Sequence, residues 1–207
     1  MDNSIANRIK ERIHEAEDGT VFVSADFSDI ADNNTVRQNL FRLVNDGILE
    51  RIINGVYQKP KYSNLLHENV AINPDDVARA IARSYHWTIA PSGNTALNLI
   101  GLSTQVSANW SYISDGPYKE YRWDNVILDF KHRTNKEISG LSDSTVLLVQ
   151  ALKTLGKDNI TKDTIDYLKE KLTEDEKTAA LKEASESTSW IYKYIKQICE
   201  SETGENR

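Results

Sequence analysis

The chain has 207 residues, 27% of them charged and 39% hydrophobic, with a formal net charge of −6. That length allows one medium domain or two small ones, each with a buried core. No apolar run reaches the ~20 residues that span a bilayer, the single cysteine, Cys199, excludes an internal disulfide, and the acidic balance leaves nucleic-acid binding to a local basic face. The opening "MDNSIANRIKERIHEAEDG" has charges at helical spacing and no signal-peptide core, so a cytoplasmic protein is expected.

Ile5, Ile9 and Ile13 recur every four residues and predict an amphipathic helix capped by Asn3 or Ser4. "TVFVS" (20–24) is β-branched and aromatic, hence a strand. Ser24 then opens a short helix through Ile30, burying Phe27. "ADNNTVRQNLFRLVNDG" predicts a second full helix capped by Asn33 or Asn34, with Val36, Leu40, Leu43 and Val44 on its apolar face and Gly47 just past its end. Thr35, Gln38, Arg42 and Asn45 fall opposite, with Arg37 and Phe41 on the flanks. From Asn33 to Asn45 there are two arginines and no carboxylate, in a chain that is acidic as a whole.

"ILERIINGVYQKP" (48–60) follows. Asn54-Gly55 between apolar runs is a two-residue hairpin signal, with positive φ expected at both turn residues. Helix, strand, helix, helix, hairpin is the order of a winged helix-turn-helix. In that reading the helix of 33–45 enters a major groove and offers Asn33, Asn34, Thr35, Arg37, Gln38, Phe41, Arg42 and Asn45 to the DNA. The hairpin is the wing, bringing Arg51, Asn54, Lys59 and Lys61 to the backbone. A winged helix used only for protein interaction, with a merely solvated polar face, is the alternative.

A polar connector (62–73) leads to a helix with Pro74 in its first turn and Asn73 as cap. "WTIA" (87–90) reads as a strand and "PSGNTALNLIGLSTQV" (91–106) as a turn plus helix capped by Ser92. "WSYIS", "KEYRW" and "VILDFKHR" predict three strands joined at Asp115-Gly116-Pro117 and Asp124-Asn125, an antiparallel meander. Lys131, His132, Arg133 and Lys136 form a second candidate basic contact, against the plain reading of a solvated strand end.

The stretch "APSGNTALNLIGLSTQVSANWSYISDG", the wing's Gly55-Val56-Tyr57 and Leu155-Gly156-Lys157 resemble AbiEi-type antitoxins, and more closely an AbiEi-like bacterial branch of them. The resemblance covers nearly the whole chain, and the Gly-Leu-Ser-Thr-Gln run at 101–105 is its most specific part. The sequence departs from that pattern at Ser107, where proline is expected. The resemblance implies the antitoxin of a type IV-like toxin–antitoxin system, which also represses its own operon through promoter inverted repeats. Its implied partners are double-stranded DNA and a nucleotidyltransferase-like toxin, met directly or indirectly. A repressor whose second domain senses a ligand is the alternative.

From Ser142 onward the pattern is helical. "STVLLVQALKTLG" predicts a core helix. Others open at Thr161 and at the capping box Thr173-Glu174-Asp175-Glu176, and "TSWIYKYIKQIC" is the last. No nucleophile elbow, HExxH or phosphate loop occurs, and the four histidines lack metal-ligand spacing. Asp124 and Asp129 are five apart and do not converge as a two-metal site requires. No catalytic residue, metal or cofactor is expected, nor any membrane segment. The expected fold is α+β: a winged helix-turn-helix (1–61), a connector (62–73), a small α+β domain (74–140), C-terminal helices packed on it (141–200) and a frayed tail (201–207).

Overall fold

The computed structural model describes residues 4–105, 107–133, 138 and 140–200. The fold is α+β, with eight helices among these residues. Two compact units divide it: residues 1–87 with 120–128, and residues 88–119 with 129–207. No helix of the described residues is long and apolar enough to cross a membrane.

The first unit opens with α1 (Ile5–Glu15), capped by Ser4, whose side chain accepts from the Asn7 amide. Of the three isoleucines spaced by four, Ile9 and Ile13 are fully buried, while Ile5 in the first turn is 41% exposed. Strand β1 (Val21–Val23), a single 3₁₀ turn (Ser24–Phe27) and α2 (Asn33–Asn45) follow. Strands β2 (Glu50–Ile53) and β3 (Val56–Gln58) come next, and the sheet has the order β1–β3–β2, antiparallel throughout. Phe22 and Arg51 thus both lie opposite Tyr57. Ile9, Ile13, Phe22, Phe27, Val36, Leu40, Leu43, Leu49 and Tyr57 make one apolar core. Arg12 ties α1 to the turn before α2, with two 2.7 Å bonds to the Asp29 carboxylate and one to the Asp26 carbonyl.

The hairpin turn differs in detail from expectation. Gly55 takes φ +82°, whereas Asn54 is not among the positive-φ residues, and the ladder shifts register between Arg51 and Ile53. The hairpin thus closes with a shifted register and one positive-φ residue rather than with a regular two-residue mirror-image turn. The segment read as a connector carries a small ribbon, β4 (Tyr62–Ser63) paired with β5 (Glu68–Asn69).

Helix α3 (Pro74–Tyr85) heads the second domain in the sequence reading, yet it packs in the first unit. Its buried stripe of Val77, Ala78, Ala80, Ile81 and Ala82 allows close approach to β1. Arg83 then reaches the Asp26 carboxylate at 3.0 and 3.2 Å and the Val21 carbonyl at 3.1 Å.

The second unit holds β6 (Ile89–Pro91), α4 (Asn94–Ile100) and β7 (Asn109–Ser114). Strands β8 (Lys119–Trp123) and β9 (Val126–His132), whose residues 120–128 are counted with the first unit, complete a sheet of order β6–β7–β9–β8. The expected meander is therefore not what forms, because β9 inserts between β7 and β8. Helix α4 is capped by Gly93, not by Ser92, which is buried and donates its amide to the Ser111 carbonyl. Helices α5 (Asp143–Leu155), α6 (Lys162–Lys171), α7 (Glu174–Glu183) and α8 (Ser189–Cys199) pack around Leu148, Leu152, Leu168, Ile191 and Ile195. The Thr173–Glu176 capping box forms as its spacing predicts. Glu183 of α7 accepts from the amide and hydroxyl of Ser142, both at 2.8 Å, and so pins the start of α5. That amide bond holds the Glu183 carboxyl below its ordinary range.

Candidate nucleic-acid interface

The helix read as DNA-facing is capped one residue earlier than the nearer of its expected caps. Asp32, not Asn33 or Asn34, is the N-cap. Its carboxylate accepts from the Asn34 and Thr35 amides at 3.0 and 3.1 Å and from the Thr35 hydroxyl at 2.6 Å. The hydroxyl bond, chiefly, lowers the Asp32 pKa. Thr35 is consequently half-buried and its hydroxyl is committed to the cap, which withdraws it from the outward face.

Burial fixes which way α2 is turned. Val36, Asn39, Leu40 and Leu43 face inward. Asn39 is the unexpected member, and it is accommodated by donating its side-chain amide to the Thr35 carbonyl at 2.8 Å. At about 100° per residue, the direction opposite this set runs through Asn34, Gln38, Phe41 and Asn45. Arg37 and Arg42 stand on either flank of it. All six are exposed. Phe41, placed on a flank by the sequence alone, is thus near the middle of the face, with 55% of its surface open.

The hairpin contributes unequally. Arg51 donates to the Asn54 side-chain oxygen at 2.7 Å, and both residues are exposed at the ribbon's end. Lys61 is exposed as well. Lys59 is not a free wing cation: its ammonium donates to the His14 and Ala16 carbonyls at 3.1 and 2.7 Å and meets Asp18 at 3.0 Å. It closes the C-terminal end of α1, where a positive charge is favoured.

A groove of about 760 Å³ runs along this side of the unit. Asn33, Arg37, Gln38 and Phe41 line it from α2, and Arg51, Asn54 and Gly55 from the hairpin. Tyr85, His86 and Tyr121 line it too, and sequence reasoning missed them. Its lining holds two arginines and one carboxylate, the capped Asp32. Of the nearby acids, Asp26 and Asp29 are paired with Arg83 and Arg12, while Asp32 keeps its charge at the start of α2.

In the second unit Lys131, His132 and Arg133 are exposed, and each is engaged locally. Lys131 lies 3.7 Å from Asp129, a His132 ring nitrogen 2.9 Å from the Gly116 carbonyl, and Arg133 donates to the His132 carbonyl at 3.0 Å. Lys136 lies outside the described residues. Asp124 occupies the β8–β9 turn with φ +45°, while Asp129 accepts from Ser111 at 2.7 Å. No group of three or more His, Cys, Asp or Glu able to hold a metal occurs among the described residues.

The model of a family of unknown function, DUF6088, matches residues 8–180. The chain belongs to the DUF6088 family. Among proteins of curated function, none matches. The DUF6088 match takes in α2, the hairpin, the four-stranded sheet and the helices as far as most of α7. The residues of the outward α2 face and of its groove therefore lie within the matched stretch.

Proposed function

We propose that residues 4–61 form a winged helix-turn-helix that binds double-stranded DNA, and that the chain represses transcription from its own promoter. The observation that carries this reading is the outward face of α2. It presents Asn34, Arg37, Gln38, Phe41, Arg42 and Asn45 with no exposed carboxylate between Asn33 and Asn45. A 13-residue helix of this kind fits a major groove, and Arg, Gln and Asn are the side chains that pair bidentately with guanine and adenine edges. Supporting the reading, Arg51 and Asn54 are exposed and hydrogen-bonded to each other on the β2–β3 ribbon, from which a wing would reach phosphate.

The resemblance to AbiEi-type antitoxins extends this reading. The second unit then serves as the part that counters a nucleotidyltransferase-like toxin encoded beside it, and the chain acts without catalysis of its own. Two experiments test the two halves separately. Binding of the purified chain to the duplex upstream of its gene is measured against salt. Arg42→Ala is expected to weaken it, and the log–log salt slope to fall by about 0.9 if Arg42 meets a phosphate. Indifference of binding to Arg37→Ala and Arg42→Ala together overturns the DNA reading. Co-expression with the neighbouring gene product tests the antitoxin half: growth is rescued if it holds and not otherwise.

A further inference from the structure

Phe41 has no role in the α2 core, which is complete without it. Its ring stands more than half exposed in the middle of a polar face. Gln38 precedes it by three residues, Arg37 by four, and Asn45 follows by four, the separations that bring helical side chains side by side. It also borders the groove that Arg51 and Asn54 close from the ribbon side. An apolar ring bracketed by adenine-reading and guanine-reading groups matches one feature of a duplex. The thymine C5-methyl is the apolar group that a major groove displays, and it lies on the strand opposite the adenine that Gln or Asn would read. The flanking arginines complement the phosphates on either side.

Resting on the DNA-binding reading above, we infer that Phe41 is a specificity-determining residue that packs on a thymine methyl, so that the bound half-site contains an A·T pair at the centre of the α2 footprint. The ring is buried only on the DNA, and Gln38 or Asn45 engages the adenine of the same or the adjoining pair.

The test uses the full chain and duplexes selected by it from a random-sequence library. Each thymine of the selected site is then replaced by uracil, which pairs identically with adenine but lacks the methyl. One position per half-site is expected to lose about fourfold in affinity, the worth of burying one methyl group. Phe41→Ala is expected to bind the thymine and uracil duplexes equally, while Phe41→Leu keeps the discrimination and controls for loss of fold. If the wild-type chain selects a sequence yet treats thymine and uracil alike, the inference falls and the DNA-binding reading stands. The same holds if Phe41→Ala keeps the uracil penalty, since another group then reads the methyl. If no duplex is selected above the non-specific level, both fall.

Discussion

Replacing Lys59 by methionine separates a structural lysine from a DNA-contacting one. The substitution keeps the apolar stem and removes the ammonium. That ammonium donates to two carbonyls at the end of α1 and pairs with Asp18, in a side chain only 20% exposed. Hydrogen bonds from a charged donor contribute about 1.5–3 kcal/mol each. Asp18 is 60% exposed, so its ion pair adds well under about 1 kcal/mol. Allowing for water reaching the carbonyls once the lysine has gone, Lys59→Met is expected to cost about 2–3 kcal/mol. Urea denaturation followed by intrinsic fluorescence reads this cost as a lower midpoint. DNA affinity measured against salt should keep its slope. Lys61→Met should do the reverse, leaving the midpoint in place and reducing the slope by about 0.9 if Lys61 meets a phosphate. A Lys59→Met chain with an unmoved urea midpoint and a shallower salt slope refutes the reasoning, because Lys59 would then leave α1 for the DNA.

Gly101 ends α4 with φ +83°, and a Cβ there would run into the Tyr167 hydroxyl, which bonds the Ile100 carbonyl at 3.3 Å. Gly101→Ala should cost at least the ~1–2 kcal/mol of a left-handed residue, and Tyr167→Phe should recover part of the excess in a double-mutant cycle; equal costs in both backgrounds refute the contact. Asp29 is pulled down to about 2 by the hydrogen bonds from Arg12. Its folded pKa is depressed, so its contribution is present above about 4 and lost as pH falls towards 2; the melting temperature of Asp29→Asn should fall less over that window than the wild type's, and parallel curves refute this. Burial pushes the Cys199 thiol up to about 11, so the native chain should resist alkylation at mildly alkaline pH and react once denatured. Equal rates in the two states would count against that burial.

The elements with strong local signals were legible. The isoleucine spacing announces α1, the apolar stripe announces α2, Asn54-Gly55 marks the hairpin, and Thr173–Glu176 marks the start of α7. What escaped depends on partners far away in the chain. Arg83 meets Asp26 across 57 positions, so nothing near α3 says which unit it joins. Lys59 reaches back 43 and 45 positions to α1 and reads locally as one more basic wing residue. Strand order is equally remote from composition, because β7, β8 and β9 look alike whether or not they pair in sequence. Asp32, Asn33 and Asn34 are all good caps, and only the packed orientation of Val36 and Leu40 selects the first. That same orientation moves Thr35 off the outward face and Phe41 into its centre. Tyr85, His86 and Tyr121 gave no signal, since only tertiary packing brings them to the groove.

The order β6–β7–β9–β8 also constrains how the chain can be assembled. As the polypeptide leaves the ribosome, β8 emerges with no finished neighbour, and β7 keeps one side open until residues 126–132 follow. A nascent or truncated product ending near Trp123 therefore leaves one border of β7 and both borders of β8 unsatisfied, templates for pairing with other chains. Completion of β9 fills the gap between them, closing that border of β7 and one border of β8, which makes those seven residues the latch that joins β8 to the sheet.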